Sequence, residues 1–561
     1  MTYNASEVRD WIAHDPSEED RAELTALLEK AESGDDAAIV ELSDRFSGPL
    51  QFGTAGLRGA IAAGPFRMNR AVVRRAAAGL VAYLKEKVGD DALLVIGNDA
   101  RYHSREFAED TAAIATAAGI RALIMTRELP TPMLAFAVRY LNADAGVMVT
   151  ASHNPAQDNG YKVYLGGRCA DEDGKGVQLV PPADGEIAAL IAQALPADEI
   201  PLAEGYGTIK ESVIDEYVNR TVALIPDSYS RDLKIVYTAM HGVGTPIMRR
   251  VLSGAGFENV VEVAEQCTPD PDFPTVPFPN PEELGALDLA KKLAADVGAD
   301  IVIASDPDAD RCSAAVPDGD TWRQLSGDEI GSVLGEYVAS GAAVLDGHPT
   351  LASSIVSSRL LEQIAGAHGL DYQATLTGFK WIARAHGIVF GYEEAIGFCV
   401  NPSTVRDKDG ISAGLILAFV AAKLRDEGTD MLGELDRLYA RHGVYLSGPV
   451  TVRVEDLSII PATMAKVRKD PPAELAGSKV SRVWDLSEAS DELPATDGIA
   501  WFTQDNDRVI IRPSGTEPKV KCYLEVVVPV DTSENLEEAK AAAHKRLERF
   551  KADVAHALKL D

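Results

Sequence analysis

The chain has 561 residues, too many for one ordinary core, and size alone argues for roughly three to five domains. It carries 54 Lys+Arg against 86 Asp+Glu, a formal charge of −32, which argues against nucleic acid or an anionic membrane as its main partner. An anionic small molecule would have to meet local clusters of Arg and Lys. With 46% hydrophobic and 25% charged residues, the composition is that of a globular protein. The cysteines Cys169, Cys267, Cys312, Cys399 and Cys522 are scattered without a CxxC pair, which argues against a zinc site or a disulfide framework. The polar, acidic N-terminus does not read as a signal peptide. The longest apolar run, 411–422, falls short of the roughly 20 residues a membrane span needs. A cytoplasmic location and a buried helix over that run are expected.

In chain order, the first 45 or so residues read as a helical preface, with Ser17 and Asp20 as a capping box and Leu24, Leu27 and Leu28 on one face. Short apolar, mostly β-branched runs follow at 92–97, 146–151, 234–238, 301–305 and 350–356, each leading into a loop and usually a helical stretch. This alternation predicts α/β domains with largely parallel sheets whose ligands lie beyond the C-terminal ends of the strands. Similar strand–loop–helix passages near 92, 234 and 350 hint at three related domains. Linkers are expected at 181–198 and 268–281. Past residue 445 the texture becomes β-rich, and a long amphipathic helix after Ser533 closes the chain, predicting a smaller α+β domain.

Five segments carry chemistry. TASHNP (150–155) follows the strand GVMV, so Ser152 would stand exposed at a strand exit, with His153 able to handle its proton. A tight turn at Asn159–Gly160 would bring Lys162 back beside it. Taken alone, the segment reads equally well as a polar turn. No GxSxG elbow frames the serine, so a hydrolase nucleophile is a poor reading. SDPDADR (305–311) sets Asp306, Asp308 and Asp310 at alternate positions, able to converge on a hard cation such as Mg²⁺, while Arg311 could neutralise a phosphoryl group. The glycine and glutamate of an EF-hand loop are missing, and the third Asp departs from an aspartyl-nucleophile DxDx pattern. TLTGFK (375–380) offers Thr377, Gly378 and Lys380, the last a proton-handling candidate that alone would be only a loop lysine. GYEEAIGF (391–398) offers Glu393 for paired sugar hydroxyls, although a surface turn explains it as well. RPSGTEPK (512–519) combines Arg512, Ser514, Gly515, Thr516 and Lys519 into an anion nest suited to a phosphate monoester. No GxxxxGK[ST] nucleotide loop occurs.

Taken in order, these segments resemble the α-D-phosphohexomutase family, which includes phosphoglucomutases, phosphomannomutases and a phosphopentomutase branch. FGTAGLRG (52–59), VIGNDARYHS (95–104) and VRDKDGISA (405–413) share the likeness. The resemblance implies four domains around a central cleft: three α/β domains and a C-terminal α+β domain of TATA-box-binding-like fold. The expected division is 1–46 for the helical extension, then 47–208, 209–318, 319–442 and 443–561. It implies that Ser152 carries a phosphoryl group and joins Asp306, Asp308 and Asp310 as an Mg²⁺ ligand. Arg58, His153, Lys162 and Arg311 would surround it. Lys380 would handle a proton, Glu393 would bind sugar hydroxyls, and Arg512–Thr516 would hold the phosphate that is not reacting. The implied reaction interconverts sugar 1-phosphate and sugar 6-phosphate through a sugar 1,6-bisphosphate, with small sugar phosphates as partners and a monomer or homodimer as the assembly. Ala395 stands where the common GEES pattern has serine, so the sugar stays open. Phosphopentomutase and sugar-1,6-bisphosphate synthase activities are the alternatives. A phosphatase using the same metal loop is a further rival, separated by its release of inorganic phosphate in place of an isomer. A silent sensor would need only the Arg512 loop and leaves Ser152, the three Asp and Lys380 unexplained.

Overall fold

The computed structural model describes residues 3–51, 56–342, 348–453, 459–490, 493–513 and 519–558. These fall into two compact units, Met1–Leu325 with Gly397–Ala422, and Ser326–Ile396 with Lys423–Asp561.

The first unit opens with helices Ala5–His14, Glu18–Glu32 and Asp36–Arg45, packed around Val8, Leu24, Leu28 and Leu42, while Leu27 is only partly covered. Ser17 caps the second helix by accepting from the Asp20 amide at 3.2 Å. The reciprocal half of the capping box is replaced, because the Ser17 amide donates to Asp15 instead.

A sheet follows in the order Leu57–Ala60, Asp158–Leu165, Ala145–Val149, Leu93–Asn98, Arg121–Ile124, Gly207–Thr208. Leu93–Asn98 runs parallel to both Ala145–Val149 and Arg121–Ile124, and Asp158–Leu165 returns antiparallel. The central strands are buried throughout, as continuous apolar runs require. Helices Arg70–Lys87 and Ser104–Ala117 contribute to their core. A second sheet has the order Thr321–Gln324, Cys312–Asp318, Ile301–Ser305, Ile235–Thr238, Val260–Glu262, with the last three strands parallel.

In the second unit Thr350–Ser354 pairs in parallel with Asp371–Thr375 and Ile388–Glu393. The C-terminal sheet is antiparallel, in the order Val444–Arg453, Lys519–Val528, Arg508–Pro513, Ile499–Thr503, Ser478–Asp485, Glu474–Leu475. Helix Leu536–Leu558 packs on it through residues such as Leu547 and Phe550. Arg508, buried in this unit, donates to the carbonyls of Ile355 and Ser357 at 2.8 Å each, and Glu525 accepts from Arg359 at 2.6 Å.

Three expectations are corrected. Asn159–Gly160 is no turn but lies inside strand Asp158–Leu165. A Cβ at Gly160 would stand 2.6 Å from the Thr150 carbonyl and 2.8 Å from that of Leu57, so glycine serves close strand approach there. The turn that returns the chain is Ser152–Gln157 itself. Residues 181–198 are no linker: helix Ala183–Ala192 buries Ala183 and Ile187 in the first sheet's core. Residues 268–281 form a loop whose Phe273 and Val276 are buried with Met240. The 411–422 run forms part of helix Gly410–Asp426, as expected. No helix among the described residues is long and apolar enough to cross a membrane.

Candidate active site

Ser152 follows strand Ala145–Val149 and the metal loop follows strand Ile301–Ser305, both at the C-terminal ends of parallel strands. Within the first unit the two loops meet. Ser152 Oγ donates to Asp306 Oδ2 at 2.7 Å and lies 3.2 Å from His153 Nδ1. Its backbone is left-handed, with φ of 52°, a conformation that costs a non-glycine residue about 1–3 kcal/mol. The Ser152 amide donates to Thr150 Oγ1 at 2.9 Å.

Asp306, Asp308 and Asp310 are buried, and each offers an oxygen within 4.8 Å of the others. Lys162, opposite Met148 in the sheet, drives its Nζ to Asp308 Oδ2 at 2.8 Å and Asp310 Oδ2 at 2.9 Å. Thr131 Oγ1 donates to Asp308 Oδ2 at 2.6 Å, and Lys408 Nζ stands 3.2 Å from Asp310 Oδ2. The second oxygens, Asp308 Oδ1 and Asp310 Oδ1, are buried with no hydrogen-bond partner. Buried carboxylate oxygens of this kind need a cation or a donor. The donor set, all oxygen, fits a hard divalent ion such as Mg²⁺.

The charges follow from this crowding. Burial and the neighbouring Asp308 and Asp310 push the Asp306 carboxyl well above the ordinary range. Burial acts the same way on Asp310, but Lys162, Lys408 and Arg311 outweigh it and hold that carboxyl low. Burial, with Arg311 and Arg58 adding positive charge, holds the His153 imidazole well below its usual value, so it is neutral. Arg58 Nη1 donates to Asn154 Oδ1 at 3.0 Å, and the Arg311 amide donates to Asp306 Oδ1 at 3.0 Å. The metal loop is supported from behind by Gly242, whose Cβ would lie 2.3 Å from Pro307, while the Val243 amide donates to the Pro307 carbonyl at 2.9 Å.

The remaining candidates belong to the second unit. Gly378 precedes the short helix Phe379–Ile382, in which Lys380 is largely buried with Nζ 5.8 Å from the centre of the Trp381 ring. Arg512 Nη1 donates to Thr377 Oγ1, so these two motifs come together. Of the adjacent carboxylates, Glu394 is tied down, accepting from Ser354 Oγ at 3.1 Å and Ser357 Oγ at 3.0 Å. Glu393 and Ala395 flank it, both partly exposed. Lys519 opens strand Lys519–Val528. Ser514, Gly515 and Thr516 lie outside the described residues, as do Phe52–Ala55 of the FGTAGLRG segment.

Reading from sequence assigned no role to Thr131, Lys408 or Arg101. Lys408 and Arg101 sit in the VRDKDGISA and VIGNDARYHS segments, so a signal existed. Thr131, at a helix start, gave none.

Paired strand-exit loops on an α/β scaffold, one bearing a serine and the other a carboxylate triad with lysine counter-charges, suit phosphoryl transfer. Four family models match in order: the phosphoglucomutase/phosphomannomutase alpha/beta/alpha domains I (49–195), II (215–319) and III (326–439), and the C-terminal domain (450–556). The chain belongs to the phosphoglucomutase/phosphomannomutase family. Its activity is that of a phosphosugar mutase of this type, an intramolecular phosphotransfer. A Haemophilus influenzae protein named "Probable phosphomannomutase" is 44% identical, over 82% of this chain and 93% of its own. A Saccharomyces cerevisiae phosphoribomutase is 34% identical, over 92% of this chain and 91% of its own. The crystal structure of a Burkholderia thailandensis phosphoglucomutase/phosphomannomutase family protein, 21% identical, shares the fold with a TM-score of 0.67, over 89% of this chain and 96% of that one.

Proposed function

We propose that Ser152 is the phosphoryl carrier of this mutase and that Mg²⁺ is the ion its triad holds. The observation that carries the reading is Ser152 Oγ at 2.7 Å from Asp306, beside two buried carboxylate oxygens without partners. Asp306, Asp308, Asp310 and phosphorylated Ser152 are the ligands in this reading, and the ion supplies positive charge to the phosphoryl oxygens. Arg58, Lys162 and Arg311 add fixed positive charge around the serine. His153, neutral and 3.2 Å from Oγ, holds or releases the serine proton. Lys380 moves a proton at the sugar hydroxyl, Glu393 binds ring hydroxyls, and Thr377, Gly378 and Ala395 line the sugar. Arg512, Ser514, Gly515, Thr516 and Lys519 hold the distal phosphate. Phospho-Ser152 gives its phosphoryl to a sugar monophosphate, the resulting bisphosphate turns end for end, and Ser152 recovers the other phosphoryl. Positioning and charge neutralisation carry such transfers.

The division at residues 46, 208, 318 and 442, the arrangement of four domains around a cleft and a cytoplasmic location belong to the same reading. So does the TATA-box-binding-like description of the C-terminal domain, supported by an antiparallel sheet with helices Ile459–Lys469 and Leu536–Leu558.

Glucose phosphate is the proposed leading substrate, with mannose phosphate accepted. Pentose phosphate is the second reading, favoured by Ala395 in the sugar loop and by the 34% identity to a phosphoribomutase. The test is intact-mass analysis after incubation with sugar bisphosphate and Mg²⁺, with a coupled assay over glucose, mannose and ribose 1-phosphates. One phosphoryl on the Ser152 peptide and loss of turnover in Ser152→Ala are expected. Undiminished turnover in Ser152→Ala would sink the carrier assignment, and turnover of ribose 1-phosphate alone would sink the hexose assignment.

A further inference from the structure

Beneath the Ser152 turn lies one guanidinium with a demanding set of partners. Arg101 is 4% exposed. Its Nη2 donates to the carbonyls of Ser152 at 2.6 Å and Asn154 at 2.5 Å. Its Nη1 donates to those of Pro155 at 2.7 Å and Asp158 at 3.0 Å. The third nitrogen, Nε, which carries the fifth N–H, lies 3.6 Å from Asp99 Oδ2. Asp99 is itself fixed, with Oδ1 accepting from the Arg101 amide at 3.0 Å and from Ser104 Oγ at 2.7 Å. The Phe273 ring covers the guanidinium face, 4.9 Å from centroid to Cζ.

The carbonyls of Ser152, Asn154, Pro155 and Asp158 converge on this one guanidinium; that of Pro155 also accepts from the Asp158 amide at 3.1 Å, and buried acceptors of this kind must be satisfied. Only a planar fork with paired N–H groups can serve them together; an ammonium offers three donors from one point. The left-handed Ser152 needs such external support, since an unsupported residue would relax out of that conformation.

We infer that Arg101 is a positioning residue for phosphoryl transfer: it gathers the Ser152–Asp158 carbonyls and so holds Ser152 Oγ aimed at Asp306. The inference rests on Ser152 as the carrier. Arg101 touches neither sugar nor phosphoryl group in this role, so its loss acts on the chemical step and spares substrate binding.

The test uses the full-length protein with Arg101→Lys, Phe273→Leu and Ser152→Ala, each checked for native circular dichroism. Transfer from sugar bisphosphate to Ser152 is followed in a single turnover, together with steady-state kcat and KM. In Arg101→Lys the single-turnover rate constant and kcat should fall about 100-fold, the scale of a small misplacement of a reacting group, with KM unchanged. Phe273→Leu should show a smaller fall in the same rate constant. A residue that merely stabilises the fold would lower the amplitude and leave the rate constant native. A native rate constant in the folded variants overturns the inference, and Phe273→Leu decides alone if Arg101→Lys does not fold. Turnover surviving in Ser152→Ala would instead remove the carrier assignment, and this inference with it.

Discussion

Asp308 shows how much of the site a single side chain organises. One of its oxygens accepts from both Lys162 and Thr131, and the other is buried without a hydrogen-bond partner. The three aspartates could be picked out from sequence because their alternate spacing already marks a group able to converge, whereas the segment around Ser152 alone reads equally well as a polar turn. Thr131 could not be picked out. It lies 177 positions from Asp308, and a threonine at a helix start looks like any other. Its hydroxyl nevertheless fixes the carboxylate, and partners that orient a metal ligand typically matter by about 10- to 100-fold in metal affinity or activity. Thr131→Val keeps the shape and removes the donor. The Mg²⁺ concentration for half-maximal rate should rise by that order, with circular dichroism unchanged. A native Mg²⁺ dependence would reduce Thr131 to a residue of its helix.

Strand runs such as Ile301–Ser305 were legible because fully buried parallel strands need unbroken apolar sequence, whatever their partners. Asn159–Gly160 misled for the opposite reason: the pair that makes a tight turn also suits a strand pressed between two backbones, and only the fold distinguishes them. The N-terminal helices were legible from their apolar spacing, but their charge balance was not. Asp20, opening the second helix, is pushed up to about 6 by burial and by Asp15 and Glu23, from an ordinary 3.8. The folded state therefore keeps this proton to higher pH than the unfolded chain does. The stability it contributes is complete below 3.8 and drains away as pH rises through about 6. Asn mimics the protonated carboxyl at every pH. Asp20→Asn should therefore raise the melting temperature, and the gain should be larger at about pH 8 than at about pH 5. Thermal melts at both values check this; an equal gain at both would show that the side chain is ionised throughout.

Over the whole molecule the motifs could be read in order along the chain, yet they divide between the two units. Ser152, Lys162 and the aspartates stand in one; Lys380, Glu393 and Arg512 stand in the other. The order of the motifs carries the family resemblance but not how side chains meet, which is why Thr377 and Arg512 meeting emerged only from the fold. The proposed cycle makes a demand that no single motif contains. The sugar must be held with either end toward Ser152, so whatever binds the distal phosphate must accept both ends of the same molecule. Arg512 is, with Lys519, a described member of that segment, and a charge-assisted contact is worth about 1.5–3 kcal/mol, or about 10- to 150-fold. Arg512→Ala should therefore weaken use of the 1-phosphate and of the 6-phosphate by similar factors. Measuring kcat/KM in both directions tests it. A large loss in one direction beside a native value in the other would mean that Arg512 recognises one orientation of the sugar and is not the common clamp.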